Sequence, residues 1–436
     1  MHSMQLIVRR NRVARGSQPP VMKRSFILFI FRWWFSIPPC VRQGGFVVPS
    51  AKRRFSGESK IGSSRSGKGN PVPMENEKRE GLQPRTYSRQ KCAGAGANLK
   101  MLFLTLALIL GAGQARATNE DGSIGGLKAK FVDVNGIRTR YYEAGKGEPM
   151  VLIHAEEGFS GHASANYFVK NIPGLAKHYH VFALDRLGSG MTDNPKTDKD
   201  YNIHAEMDHI VQFIQTLKLG KVNLVGHSHG GGMAMFITVE HPDIIRTLTI
   251  IDSVTAAPLG PGVPPSENPV LKCPKEPEIA FWECRLKALS YKPEANWDNE
   301  FFEAAKYMDA LPKSREAEEK VKAGAGERSG TTPIDSPFNV YKRNLLARIH
   351  DDPTALQVPV LLIWGHDEHS VPLARGEALY DVIAAQNARV RMIIVNHADH
   401  FDFRLYPDEY NDHIVDFIEF WEHQPADAGT KSSQAR

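Results

Sequence analysis

The stretch Val222-Asn223-Leu224-Val225-Gly226-His227-Ser228-His229-Gly230-Gly231-Gly232 narrows the fold more than any other part of the chain. An apolar run of strand type ends in Gly-x-Ser-x-Gly and passes directly into a helix-like segment, Met233 to Glu240. Gly226 and Gly230 have no Cβ, so the chain can reverse sharply around Ser228. Such a strand-to-helix turn lifts the Ser228 hydroxyl above a sheet. It also aims the first N–H groups of the helix at any negative charge that develops beside the serine. The bare five-residue pattern fits a serine in a glycine-rich loop as well. The strand before it and the helix after it are what point to an elbow carrying a nucleophile.

The same alternation runs along the chain. Leu127–Val134 and Ile137–Glu143 alternate in character and are joined by Asn135-Gly136, a strong hairpin signal. Strand-like apolar runs follow at Met150–His154, Val181–Leu184, Val222–Val225, Leu248–Ile251, Val358–Trp364 and Val390–Val395. Helical patterns lie near Asn166–Tyr179, Ile203–Leu219, Gly231–Glu240, Leu373–Ala385 and Pro407–Trp421. Continuous apolar strands separated by helices predict a mostly parallel sheet covered on both faces. Between Ser253 and Leu356 the rhythm breaks. That stretch opens rich in Pro and Gly and then turns polar and helical at Glu278–Leu289, Glu300–Ala310 and Ser314–Ala323. It reads as a helical cap inserted after the strand at 248–251, leaning over the carboxyl ends of the strands.

The first 117 residues are unlike the rest. They carry 21 Lys+Arg against 4 Asp+Glu, whereas the remaining 319 carry 33 against 45. Residues 1–100 are rich in Arg, Ser, Gly and Pro with little periodicity, a composition that suggests disorder or an upstream extension with no fold of its own. Phe26–Ile37 is apolar but short and broken by Arg32, so it is not read as a membrane span. Met101–Ala117 joins a short apolar core to Ala115-Arg116-Ala117, the pattern of a secretory signal peptide cut before Thr118. The expected start is then Met101, or Met74 with a longer basic lead, and the expected location is secreted or periplasmic with no stable membrane anchor. Nucleic-acid binding by the basic stretch is the competing idea, but no stacking aromatic pattern interleaves its charges. Cys273 and Cys284 flank Pro274–Glu283 and form either a local disulfide or two buried thiols.

Ligands of open α/β sheets bind at the carboxyl ends of the strands. The residues after the runs are His154-Ala155-Glu156-Glu157-Gly158, Asp185-Arg186-Leu187-Gly188-Ser189-Gly190, the elbow, Gly365-His366-Asp367-Glu368-His369-Ser370 and Asn396-His397-Ala398-Asp399-His400. A serine hydroxyl is a poor nucleophile until a base takes its proton, and the base needs a carboxylate to orient it. Serine, acid and histidine occur here in that order.

From about Lys128 to Phe420 the chain resembles the α/β-hydrolase superfamily. The matching pieces are Leu152-Ile153-His154, Asp185–Gly190, Gly226–Gly231, Trp364-Gly365 through Val371-Pro372, and His400-Phe401 leading to Pro407-Asp408-Glu409-Tyr410-Asn411. The resemblance implies a mostly parallel eight-stranded sheet flanked by helices. The core would run over 118–253 and 356–423, the helical cap over 254–355 and a flexible tail over 424–436. It implies Ser228 as nucleophile and His400 as base, with His397 the structural alternative. It implies Glu368 as the acid, four residues after Trp364, with Asp367 as its adjacent competitor. The oxyanion hole would use the backbone N–H groups of His229 and Glu156. At Ala155 the sequence departs from the usual His-Gly start, and two carboxylates follow. Glu156 is therefore expected to turn outward or to meet a cation, either an arginine or a cationic substrate group.

His366-Asp367-Glu368-His369 and His227-x-His229 hold potential metal ligands, but they lie on turns and lack the His-Glu-x-x-His helix of zinc catalysis. No metal and no cofactor are expected, and the partner is a small-molecule substrate. The leading function is secreted serine hydrolysis of a carboxylic ester, lactone or thioester through an acyl-enzyme. The alternative is hydrolysis of a carbon–carbon bond in a diketone-like substrate, since His154 through Asn166-Tyr167 to Arg186, with Val371-Pro372-Leu373, is similar to the meta-cleavage-product hydrolases. A non-catalytic binding protein on the same fold is the third reading.

Overall fold

Asn135 and Gly136 both take left-handed backbone, with φ of 51° and 81°. That geometry matches the twist of a two-residue hairpin, and β1 (Ala129–Val134) pairs antiparallel with β2 (Ile137–Ala144) across it. The computed structural model describes residues 120–156, 158–260, 269–296, 298–325 and 335–424. The basic stretch, the signal-like segment 101–117 and residues 425–436 lie outside them, as does Asn11–Phe103, the second of the two units into which the chain divides.

Six further strands complete the sheet: β3 (Pro149–Ile153), β4 (His180–Leu184), β5 (Val222–His227), β6 (Ile245–Ile251), β7 (Val360–Gly365) and β8 (Val390–Val395). Their order is β1-β2-β4-β3-β5-β6-β7-β8, antiparallel through β4 and parallel from β4 to β8. The apolar runs are continuous because neighbouring residues serve opposite faces. Leu224, Ile250 and Leu362 enter one apolar cluster, while Val225, Ile251 and Leu361 enter the other. Truncating one of these side chains to alanine costs about 2–5 kcal/mol.

In chain order the helices are α1 (Ile172–Leu175), α2 (Ile203–Thr216), α3 (His229–Glu240), α4 (Glu278–Ala288), α5 (Pro293–Asn296), α6 (Asn299–Asp309), α7 (Pro312–Lys322), α8 (Pro337–Asp351), α9 (Leu373–Ala384) and α10 (Pro407–Glu422). Side chains of α2, α3, α8 and α9 cover the first face, and those of α1 and α10 the second. Two expectations need correction. The helical pattern near Asn166–Tyr179 becomes a 3-10 turn at Ala165–Phe168 followed by the short α1, because Pro173 can occupy only a first helical turn. The stretch 254–355 is not all cap: Phe338, Leu345, Leu346 and Ile349 of α8 join the cluster on the sheet's first face.

The insertion proper, α4 to α7, follows β6 and packs on the loops at the carboxyl ends of the strands. Trp282 donates to the Tyr167 hydroxyl at 2.7 Å. Arg404 donates to the carbonyls of Asn166 and Tyr167 at 3.0 Å each, with its guanidinium 3.8 Å above the Phe301 ring. Cys273 and Cys284 form a disulfide that ties the approach of α4 to its own last turns.

Candidate active site

Ser228 stands between β5 and α3 with φ 52° and ψ −119°, a strained conformation for a residue with a side chain. The turn is so tight that a Cβ on Gly226 would lie 2.2 Å from the Gly230 carbonyl oxygen. A Cβ on Gly230 would lie 2.3 Å from that of Ile153. Both glycines are therefore demanded by backbone contact. The turn is pinned by Ser228 N–H to Ile251 at 2.9 Å and by the Ser253 hydroxyl donating to the Ser228 carbonyl at 2.5 Å.

β8 and its following loop bring His400 to the serine. His400 Nε2 lies 3.0 Å from Ser228 Oγ, and His400 Nδ1 lies 2.7 Å from Glu368 Oε2. All three side chains are buried. The other Glu368 oxygen accepts from the backbone N–H groups of Ser370 and Val371, the latter at 3.0 Å. Asp367 is turned away toward His366 and His397, and His397 itself is exposed and stacked on Tyr291. Of the paired alternatives, the geometry joins Glu368 and His400. Burial pushes the His400 imidazole down to about 3, helped by Arg285, so it is neutral at pH 7 and has a lone pair to offer. Burial, reinforced by Asp399, pushes the Glu368 carboxyl up.

Several supporting residues were not legible in the sequence. His227 Nε2 is 2.8 Å from the His400 carbonyl oxygen, with the two rings 4.8 Å apart. Asp399 accepts from the His400 N–H at 2.7 Å and pairs with His369 at 2.6 Å, which takes His369 out of the acid–base chain. Asp402 accepts from Asp399 and Tyr291 and closes the loop. Asp252, just after β6, accepts from the Gly365 N–H at 2.8 Å, and burial together with Glu368 pushes it well above the carboxylate range. The run of Asp and His around position 400 was the only available signal for these contacts.

The two residues expected to frame an oxyanion lie on adjoining segments. His229 is the first residue of α3, where a helix N–H has no intrahelical acceptor. Glu156 follows β3 with φ 77°. Arg186, buried after β4, donates to the carbonyls of Ala155 and Glu156 at 3.2 and 2.6 Å and pairs with Glu206. Both loop carbonyls are thus engaged. The Glu156 carboxylate meets a cation from the insertion, Arg285, and accepts from the Tyr167 hydroxyl at 3.1 Å. Burial alone would raise Glu156, but Arg285 outweighs it and holds the group below the usual carboxylate range.

A parallel sheet covered on both faces, with this serine and histidine at its carboxyl edge, defines a hydrolase of the α/β class. Residues 148–404, more than half of the chain, match the alpha/beta hydrolase fold family, and the chain belongs to it. It is 39% identical over 125 residues to the 2-hydroxy-6-oxo-6-(2'-aminophenyl)hexa-2,4-dienoic acid hydrolase of Metapseudomonas resinovorans, which covers 28% of this chain and 42% of that one. It is 37% identical over 118 residues to the 2-hydroxymuconate semialdehyde hydrolase of a Pseudomonas strain, covering 27% and 41%. The chain therefore spans under half the length of these curated relatives. The solved meta-cleavage product hydrolase of Pseudomonas fluorescens shares the fold with a TM-score of 0.53 at 22% identity, over 67% of this chain and 98% of that one.

Proposed function

We propose that this chain hydrolyses a carbon–carbon bond beside a ketone in a 2-hydroxy-6-oxo-dienoic acid or similar vinylogous diketone. The hydrogen-bonded chain Ser228–His400–Glu368 carries the reading, and the names of the relatives favour the carbon–carbon bond over an ester. In the proposed course the Ser228 oxygen attacks the ketone carbon while its proton passes to His400 Nε2. Glu368 holds the other imidazole nitrogen and steadies the imidazolium. The N–H groups of His229 and Glu156 receive the negative oxygen. Collapse of the adduct breaks the carbon–carbon bond, and the departing carbon takes the proton from His400. Water, deprotonated by His400, then releases the acid from Ser228.

A second reading keeps the same machinery for a carboxylic ester in an exported enzyme. The Cys273–Cys284 disulfide favours it, because such bonds persist in oxidising compartments. Kinetics on a 2-hydroxy-6-oxo-dienoate beside p-nitrophenyl acetate decide between the two. A kcat/KM for the dienoate at least a hundredfold above that for the ester is the expected result, and the reverse order transfers the assignment to the esterase.

A further inference from the structure

A second Ser–His–carboxylate chain lies outside the site just described. Ser160 Oγ is 3.3 Å from His162 Nε2, and His162 Nδ1 is 2.9 Å from Asp309 Oδ1. Ser160 and His162 belong to the loop after β3, whereas Asp309 ends α6 of the insertion. Gly161 makes the meeting possible, since a Cβ there would lie 2.2 Å from the Met308 carbonyl oxygen. Ser160 and His162 are both more than nine-tenths buried, and the His162 ring sits 5.2 Å from that of Trp282.

Ser160 is no second nucleophile. It lacks the left-handed backbone of Ser228, and the 3.3 Å contact is long for proton transfer. Its surroundings suit binding instead. Ser160 lines a cavity of about 320 Å³ between the insertion and the core, together with Phe159, Tyr201, Phe281 and His229, the residue next to the nucleophile. His162 Nδ1 faces the Asp309 carboxylate, which orients the ring, and Nε2 faces the Ser160 hydroxyl. A hydroxyl has one donor and two acceptor positions, so the contact with Nε2 leaves the Ser160 hydroxyl capacity for another partner.

We infer that Ser160, oriented by His162 and Asp309, is the hydrogen-bond partner for a hydroxyl or enol group of the substrate in this cavity, whose wall includes His229 next to Ser228. This deepens the reading above and rests on it for the choice of a hydroxylated acid. The contact with His162 fixes the place of the Ser160 hydroxyl, so the subsite discriminates a hydroxyl from a hydrogen at the same position.

Binding is measured by calorimetry on the full chain with two saturated probes that are not turned over, 2-hydroxyhexanoate and hexanoate. Their shared carboxylate cancels in the comparison. The wild type should bind the hydroxylated probe about tenfold more tightly, the worth of one well-placed hydrogen bond. Ser160→Ala should erase the preference and Ser160→Thr should keep it. His162→Phe retains a ring against Trp282 and should cut the preference at least threefold. Equal affinity for the two probes in the wild type, or a preference that survives Ser160→Ala, overturns the subsite. Because no turnover is read, failure of the carbon–carbon assay leaves this test standing on its own.

Discussion

His400 Nε2 lies 3.0 Å from the hydroxyl oxygen of Ser228, although 172 positions of sequence separate the two. The strain at Ser228 and the burial that keeps His400 neutral both serve this contact. Ser228→Ala should therefore abolish labelling by a fluorophosphonate probe and lower kcat about a millionfold, the loss typical of a removed serine nucleophile. The readout is labelling intensity beside an unchanged far-ultraviolet circular dichroism spectrum. Labelling that persists in the folded variant would move the nucleophile elsewhere.

Glu368 and Asp367 are neighbours in sequence but not in role. Only Glu368 reaches His400, and two backbone N–H groups hold its other oxygen. Glu368→Gln should lower kcat by about 10⁴, as loss of the orienting carboxylate does in comparable triads. Asp367→Asn should change kcat less than about threefold, because its contacts lie with the exposed His366 and His397. Comparable losses in both variants would mean that the loop, not the carboxylate, is what matters.

The parts of the site that were legible share a cause. Ser228, Glu368 and His400 each follow an apolar strand, and strand ends are readable because the period of burial stops there. Arg285 was not legible. It lies 129 positions from Glu156 in a polar helical stretch whose packing has no sequence register, so the need for a cation at Glu156 was foreseeable and its source was not. Asp252 and Asp399 were hidden differently: each stands beside a residue with a stronger signal and works through backbone N–H groups that any sequence supplies. The fold was read more completely than the site. The misjudged cap boundary, at α8, arose because a helix with a single apolar face fits a cap and a core equally well until its partner surface is known.

Glu156 and Arg285 form a direct ion pair between the loop after β3 and α4, and both are mostly buried. Arg285→Leu strands the carboxylate beside the expected oxyanion position and should cost on the order of 3 kcal/mol of stability, with a fall in kcat. Glu156→Gln combined with Arg285→Leu removes both charges and should recover most of that stability. Urea unfolding of the two single variants and the double variant measures the coupling. Additive losses would show that the pair does not hold insertion and core together.

His209 provides a pH test away from the site. Its ring is buried on α2, 2.8 Å from the Thr139 hydroxyl, and burial pushes it down to about 4. In the unfolded chain the same imidazole takes its proton near pH 6.5. Between those values the unfolded state binds the extra proton, so stability falls as the pH falls through that window, by up to about 3 kcal/mol. Replacement by an uncharged residue removes this contribution. His209→Gln should therefore lower stability at pH 7, where the Thr139 contact is lost, yet weaken the dependence on pH between 7 and 4. The measurement is the urea midpoint of both proteins at pH 7, 5.5 and 4.5. Parallel curves for the two would show that His209 is not the group that gains a proton on unfolding.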